Sequence, residues 1–311
     1  MSERPRVGSP VLAEVAPGVH AYVQPDGGWM LNNTGVVTGS GGEQMLVDTT
    51  STEARNRAML DAVAALADRP PKALVNTHHH GDHVSGNWLM PPGTPIFGHS
   101  DCRAEVLRAS RAGTSGIPGP DYGRTEVRPP DVTFSAITTL YVGDRPIELI
   151  PVGPAHTRGD VLVWLPEDKV LFSGDIVFNG GQPFLVEGSL PGYRRALSLV
   201  RRLLPDVLVP GHGPVCRGEE IATILDELNA YTEFVEALAR EGLDSGRSPL
   251  EMAESAAGSR FSGWQEAERL AGNLHRAYSE FGGDPYGARM DARRMWSDMA
   301  RIHGGPIRSR A

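Results

Sequence analysis

The fold of this chain is predicted by one stretch of its sequence, Thr77-His78-His79-His80-Gly81-Asp82-His83. An apolar run at residues 73–76 precedes it and is typical of a buried strand, while residues 84–89 have the pattern of a helix that begins. A loop between a strand and a helix directs alternating side chains into one small volume. Imidazoles and a carboxylate in that volume predict a metal site, because zinc binds imidazole nitrogen and carboxylate oxygen.

The spacing HxHxDH predicts two metal ions. His78 and His80 can face one ion, while Asp82 and His83 face a second ion a few ångströms away. A catalytic zinc site keeps one coordination position for water. A histidine-rich run can also be a surface tract that binds metal by accident. The two interpretations differ in whether the rest of the chain supplies further ligands.

Later apolar runs end in further metal-ligating residues. His156 follows one such run and offers a third imidazole to the first ion. Asp175 ends the sequence Leu-Phe-Ser-Gly-Asp, and its carboxylate can bridge both ions. His212 follows a third run in the sequence Pro-Gly-His-Gly. Ligands delivered by four successive strand ends predict one shared site, which a surface tract does not explain. The predicted ligands are His78, His80, Asp82, His83, His156, Asp175 and His212.

The order of these motifs resembles the metallo-β-lactamase superfamily with a complete dinuclear site. The resemblance implies that the first ion is bound by His78, His80 and His156. It implies that Asp82, His83 and His212 bind the second ion, with Asp175 between the two. The implied cofactors are two Zn²⁺ ions, with Mn or Fe as alternatives. Asp82 and Asp175 are the candidate catalytic residues, because their carboxylates orient the attacking water and can accept its proton.

The pattern of predicted elements favours an α/β fold, an αββα metallo-β-lactamase-like sandwich of two sheets flanked by helices. A βαβ-like first half is followed by strands at 132–173 that no long helix interrupts. Amphipathic patterns at 220–240 and 264–281 predict a C-terminal helical appendage. Asp284-Pro285 predicts the cap and first position of a last helix.

We therefore predict two regions, a catalytic domain at residues 1–216 and a helical region at 217–311 that packs on it. The chain as a whole can bury a full core, since 40% of its 311 residues are hydrophobic. Nothing resembling a linker separates them.

Composition limits the partners and the compartment. A net charge of −8 and a pI near 5.7 disfavour nucleic acid or an anionic membrane as the main partner. The two cysteines, Cys102 and Cys216, are too few for a disulfide scaffold and lie outside the ligand motifs. The first ten residues lack the apolar core of a signal peptide. We therefore expect a cytoplasmic protein.

Four further regions are candidates for the site. In the superfamily that the chain resembles, a hairpin at the position of Trp29 closes over substrate, so Trp29 is a candidate contact with an apolar ligand. The alternative is that Trp29 packs on its own hairpin. The resemblance also implies that Asp48, at a strand end, orients the ligand imidazoles from outside; an ordinary loop aspartate is the alternative. Phe184 lies in a stretch that predicts a pocket wall. Residues 111–130, rich in Gly and Pro, predict a flap or a plain surface loop.

One subfamily matches more than the ligands. The chain is similar, from about residue 11 to 277, to the actinorhodin-type cyclases of bacterial aromatic polyketide pathways. The matching phrases are Gly28-Trp29, Asn76-Thr77-His78, His80-Gly81-Asp82-His83, Arg128-Pro129-Pro130, Val152-Gly153-Pro154-Ala155-His156-Thr157, Trp164-Leu165-Pro166-Glu167, Gly211-His212-Gly213-Pro214-Val215 and Asn273-Leu274-His275-Arg276-Ala277.

That similarity implies a cyclase that closes the second ring of a polyketide by aldol condensation and dehydration, and then releases it by thioester hydrolysis. An acyl carrier protein is the implied partner. The alternatives are a metal-dependent thioesterase, a lactonase and a glyoxalase II-like hydrolase, as well as a binding protein with a purely structural metal. Asp175 argues against a β-lactamase, in which the resemblance implies cysteine or serine. We expect His79 to point away from the ions and His275 to have no catalytic role.

Overall fold

Two β-sheets form the centre of the fold in a computed structural model that describes residues 8–67, 69–112 and 117–311. Within these residues the first sheet has seven strands in the order β1 to β7, antiparallel from β1 to β4 and parallel from β4 to β7. Its strands are β1 (Val11–Ala16), β2 (Val19–Val23), β3 (Thr34–Thr38), β4 (Gln44–Val47), β5 (Ala73–Val75), β6 (Ile96–His99) and β7 (Val132–Phe134).

The second sheet is formed by the later part of the chain. In the described residues it has six strands in the order β13-β12-β11-β10-β9-β8, all antiparallel except the pair β11 and β12. Its strands are β8 (Thr138–Val142), β9 (Arg145–Pro151), β10 (Val161–Leu165), β11 (Val170–Phe172), β12 (Val207–Val209) and β13 (Cys216–Arg217). Both sheets are therefore mixed.

Helices cover the outer faces of both sheets. The helix α1 starts after Thr52, whose hydroxyl accepts a hydrogen bond from the amide of Arg55. The α-helices are α1 (Glu53–Ala64), α2 (Gly81–Val84), α3 (Ser100–Ala112), α4 (Leu190–Leu203), α5 (Glu219–Ser245), α6 (Pro249–Ser255), α7 (Arg269–Phe281) and α8 (Ala292–His303). No helix among the described residues is long and apolar enough to cross a membrane.

Alternation along the strands divides the apolar residues between layers, because successive strand residues point to opposite faces. Val36 of β3 points outward and packs in one cluster with Met59 of α1. The next residue, Val37, points inward and packs with Leu149 of β9 between the sheets. The predicted αββα sandwich of two sheets flanked by helices is thereby confirmed.

The C-terminal helices share a core with the second sheet. Leu171 of β11 belongs to the same buried cluster as Leu197 of α4 and Leu274 of α7. The helix α5 packs against α4 and α7, and α7 packs against α6 and α8. The predicted division between residues 216 and 217 falls inside β13 and stays a prediction. Residues 1–7 of the predicted catalytic domain lie outside the described residues.

The predicted start of the last helix at Asp284-Pro285 is wrong. The helix α8 begins at Ala292, after Asp291, whose carboxylate accepts a hydrogen bond from the amide of Arg293. Asp284 instead accepts a hydrogen bond from the hydroxyl of Ser279. Gly287, with a φ of 71°, has a left-handed conformation that an α-helix excludes. The sequence signal of a helix start at Asp284-Pro285 is therefore not followed, because these residues lie in a loop that leads past the site described below.

Candidate metal centre

The first group of predicted ligands is His78, His80, His156 and Asp175, whose ligating atoms lie within 4.8 Å of one another. His156 Nε2 is 2.9 Å from His80 Nδ1 and 3.3 Å from Asp175 Oδ2. These side chains come from loops that follow β5, β9 and β11. Apolar strands of the two sheets thus bring residues that are distant in sequence to one edge of the sandwich.

The second group is Asp82, His83 and His212, again with ligating atoms within 4.8 Å of one another. His212 Nε2 lies 3.3 Å from Asp82 Oδ2. Asp175 connects the two groups, because its Oδ1 is 3.1 Å from His83 Nε2 and its Oδ2 is 3.4 Å from His212 Nε2. All seven predicted ligands therefore come together, with Asp175 between the two groups.

The unpaired atoms at this centre fit divalent cations. His78 Nε2 is buried and has no hydrogen-bond partner in the described structure, and the buried His83 Nε2 and Asp175 Oδ1 face each other at 3.1 Å without the geometry of a hydrogen bond. Leaving such a group unpaired costs about 1–3 kcal/mol, so a partner is expected. A donor set of imidazoles and carboxylates is the one that zinc prefers. The predicted ligand roles, which the arrangement suits, stay predictions.

The charges of the cluster are distributed unevenly. Burial lowers the pKa of His156 to about 3, and burial also holds the pKa of His78 well below its usual value. Burial would lower the pKa of His212 too, but the carboxylates of Asp175 and Asp82 raise it to about 9. For Asp82, burial favours a high pKa, yet His83 and His212 lower it to about 2. The carboxylates are thus ionised at neutral pH, as ligands must be.

Groups behind the imidazoles fix which ring nitrogen faces the centre. His83 Nδ1 is 2.8 Å from Asp48 Oδ2, and Asp48 also accepts hydrogen bonds from the amide and hydroxyl of Thr77 at 2.7 Å each. His212 Nδ1 is 3.1 Å from the carbonyl oxygen of Gly27. These contacts leave Nε2 of each ring directed at the cluster. Asp48 lies where the sequence predicts it, and its orienting role stays a prediction.

Glu187 contacts two histidines at the centre, and no sequence motif predicts it. Its Oε2 is 3.0 Å from His80 Nε2 and 2.9 Å from His79 Nε2. Burial would raise the pKa of Glu187, but hydrogen bonds from both imidazoles hold it well below its usual value. The carboxylate thus fixes His80 with Nδ1 toward the centre. His79 lies outside the two ligand groups, and it holds Glu187 in place.

Replacing Glu187 by alanine is expected to weaken metal binding about 10–100-fold, the usual effect of removing an outer partner of a ligand histidine. Glutamine, which can still accept the hydrogen bond from His80 Nε2, should have a smaller effect. Competition with a chromophoric zinc chelator measures both affinities. The matched control is Glu233→Ala, which removes a carboxylate paired with Arg194. Equal affinities in all four proteins would contradict the orienting contact.

A cavity of about 1270 Å³ opens at the centre. It exceeds the roughly 300–1,000 Å³ of typical small-molecule sites. One end is lined by metal-ligand candidates, including His80, Asp82 and His212. Apolar side chains form another part of the lining, which we call the apolar wall: Trp29, Phe178, Phe184, Met295, Trp296 and Ile307. The predicted positions of Trp29 and Phe184 on the cavity are thus found, and their contact with substrate stays a prediction.

Trp29 packs on the C-terminal helices rather than on its own hairpin. Its indole Nε1 donates a 2.7 Å hydrogen bond to Glu268 Oε1, and its ring lies 5.1 Å from the ring of Phe184. The buried guanidinium of Arg269 lies 4.0 Å from the Trp29 ring centroid. The helical region therefore builds part of the apolar wall. His275 pairs with Asp298 at 2.7 Å and links α7 to α8, as a packing role requires.

The predicted flap also borders the cavity. Residues 117 and 118 line it, as do residues 121–123 and 125–128, while residues 113–116 of the flap lie outside the described residues. The amide of Ser309 donates a 2.8 Å hydrogen bond to the carbonyl of Pro118, and the amide of Glu53 donates one of 3.0 Å to the carbonyl of Tyr122. The described part of this segment, residues 117–130, is thereby hydrogen-bonded to α1 and to the last residues of the chain.

Comparison with known proteins agrees with this geometry. A family model described as the metallo-β-lactamase superfamily matches residues 27–212. A hydroxyacylglutathione hydrolase of Methylococcus capsulatus is 31% identical over 174 residues, 54% of this chain and 60% of that protein. A metallo-β-lactamase type 2 of Bacteroides fragilis is 21% identical over 231 residues, 71% of this chain and 86% of that protein.

Solved structures show the same fold. The crystal structure of DIM-1 metallo-β-lactamase superposes with a TM-score of 0.59 at 20% identity, over 74% of this chain and 99% of that one. This chain spans 60% of the length of the Methylococcus capsulatus relative. The family model, by contrast, covers more than half of this chain and includes all the predicted ligands. The chain belongs to the metallo-β-lactamase superfamily.

Proposed function

We propose that the protein is a dinuclear-metal hydrolase, with zinc as the metal, that cleaves an acyl thioester. The observation that carries this proposal is the position of Asp175, 3.1 Å from His83 and 3.3 Å from His156, at one end of a large cavity. When bound, two divalent ions would polarise a carbonyl group and lower the pKa of a water molecule. A structural site would instead be closed by protein ligands on all sides.

The side chains of the centre have separate tasks in this proposal. His78 and His156 remain neutral because their pKa values are lowered, so each Nε2 is free to bind a cation. Asp82 belongs to the second ligand group and also lines the cavity, so its carboxylate would lie beside an attacking water molecule that enters there. That carboxylate orients the water and accepts its proton. Asp175 would offset the charge of both ions.

The acyl group that we propose is an aromatic polyketide carried by an acyl carrier protein. The cavity volume and the wall formed by Trp29, Phe184 and Trp296 support a large flat substrate. The apolar wall would exclude water from the end of the polyketide that is remote from the thioester. Exclusion of water there favours attack by a substrate carbon on the polarised carbonyl. Aldol condensation and dehydration of the second ring would precede thioester hydrolysis at the same centre. The sequence phrases shared with actinorhodin-type cyclases support this choice.

A second candidate is hydrolysis of an acylglutathione, which the name of the Methylococcus capsulatus relative favours. Its substrate also contains a thioester carbonyl, so the same side chains would serve. A smaller acyl group would leave much of the apolar wall uncovered. A lactone is a third possible ester, with no particular feature of this cavity in its favour.

A substrate panel tests the proposal. Protein shown by elemental analysis to contain two ions per chain is offered carrier-bound aromatic polyketide, simple acyl thioesters, acylglutathione and lactones. We expect the highest kcat/KM on the carrier-bound polyketide, with a cyclised free acid as the product. Activity confined to acylglutathione or lactones would remove the polyketide assignment. Absence of thioester hydrolysis in the fully loaded protein would remove the hydrolase assignment as well.

A further inference from the structure

One edge of the cavity is cationic. Three of the arginines that line the cavity form this edge, and we refer to them as the arginine edge: Arg108, Arg158 and Arg289. Arg108 belongs to α3, Arg158 follows His156 by two residues, and Arg289 belongs to the loop that precedes α8. Segments distant in sequence thus contribute guanidinium groups to the same edge.

The arginine edge has more positive charge than its surroundings neutralise. Arg108 and Arg289 share a single carboxylate, that of Glu105. Arg158 is exposed and forms no ion pair with any residue that the structure describes. The neighbouring acid, Glu187, is already bound by His79 and His80. A local excess of cations in a chain with a net charge of −8 indicates an anionic ligand.

The position of the arginine edge constrains that ligand. Arg158 lies next in space to the loop of Arg289, because its Cγ is 3.0 Å from where a Cβ on Gly287 would stand. It also lies beside the first ligand group through His156. A molecule that fills the cavity therefore meets an apolar wall, the metal centre and the arginine edge. Guanidinium groups suit phosphate especially well, because their fork of donors matches its oxygens.

We propose that the arginine edge binds the phosphate of a 4′-phosphopantetheine thioester. The proposal rests on the proposed thioester hydrolysis. The acyl group would lie on the wall and the thioester at the metal centre, so that the pantetheine arm leaves past Arg158 and Arg289. Coenzyme A and a carrier protein both contain this arm, and the phosphate is the chemistry that they share.

The test uses two nonhydrolysable thioethers with the same acyl-like group, one of 4′-phosphopantetheine and one of pantetheine, which lacks only the phosphate. Calorimetry on the metal-loaded protein should show about tenfold tighter binding of the phosphorylated compound, as expected for charge-assisted hydrogen bonds. In Arg158→Ala/Arg289→Ala the two affinities should become equal, with that of the pantetheine compound unchanged. Arg201→Ala is the matched control, since Arg201 also pairs with one acid, Asp226, outside the cavity lining.

Several results would overturn the proposal. Equal affinities for both compounds in the unmodified protein would do so, as would an equal loss for both in the double variant. A glutathione thioether that binds tighter than the phosphorylated compound, and depends on the same arginines, would show recognition of carboxylates instead. Because binding needs no turnover, absence of hydrolysis would count against the proposed function alone. Competition by coenzyme A and by a carrier protein with its arm attached then distinguishes the two sources of the phosphate.

Discussion

Asp175→Ala is expected to lower kcat/KM by at least about 10³-fold, the upper range for loss of one electrostatic group at a reacting centre. Among the seven ligand candidates, Asp175 is the one whose oxygens approach both groups, 3.1 Å from His83 Nε2 and 3.3 Å from His156 Nε2. Alanine leaves five imidazoles with only the carboxylate of Asp82 to offset two cations. We therefore expect the bound metal to fall from two ions per chain to one or none.

Elemental analysis and steady-state kinetics on a thioester measure both effects. Asp168→Ala is the control, because Asp168 is a half-buried aspartate that pairs with Arg145 at 3.3 Å and does not contact the imidazoles. Asp175→Asn, which keeps the size of the side chain but not its charge, should lie between alanine and the unmodified protein. An alanine variant with two tightly bound ions and near-normal kcat/KM would show that Asp175 bridges nothing in solution.

The ligands could be predicted from sequence because four of them follow an apolar strand within a few residues and the other three continue the first of these motifs. His78, His156, Asp175 and His212 follow β5, β9, β11 and β12, and strand ends of packed sheets meet at a common edge. The signals are local, since a short apolar run and the next few residues suffice. The fold class followed for the same reason, from alternating runs of strand and helix patterns.

Contacts between distant residues could not be predicted in this way. Glu187 is 107 positions from His80, and no spacing rule connects them. Its one local signal is its place directly after the apolar stretch 183–186 and just before Gly188, a stretch whose pattern predicts only a pocket wall. Glu268, which binds Trp29, is 239 positions away from it. These contacts form only when distant parts of the chain pack together, so only the structure shows them.

The close approach of two loops explains why residue 188 is a glycine. Replacing Gly188 is expected to have the second large effect. A Cβ at this position would lie 1.8 Å from the carbonyl oxygen of Ala155 and 2.7 Å from the carbonyl carbon of His156. Both are backbone atoms, which cannot rotate away as a side chain can. The amide of Ser189 also donates a 2.8 Å hydrogen bond to the carbonyl oxygen of Ala155, so a hydrogen bond joins the two loops beside the contact.

Gly188→Ala must therefore separate the loop of Glu187 from the loop of His156, and it disturbs an outer partner and a ligand of the first ion together. Overpacking against rigid backbone should destabilise the protein by about 2–4 kcal/mol, or roughly 5–10 °C in Tm, and metal affinity should fall with it. Thermal unfolding measures the first effect and chelator competition the second. Gly263→Ala is the matched control, because nothing lies within 4 Å of its Cβ, and it should change stability by less than about 0.5 kcal/mol. If the two alanine variants unfold at the same temperature, the loops do not approach each other as closely as the structure indicates, and the orienting contact between Glu187 and His80 loses its support.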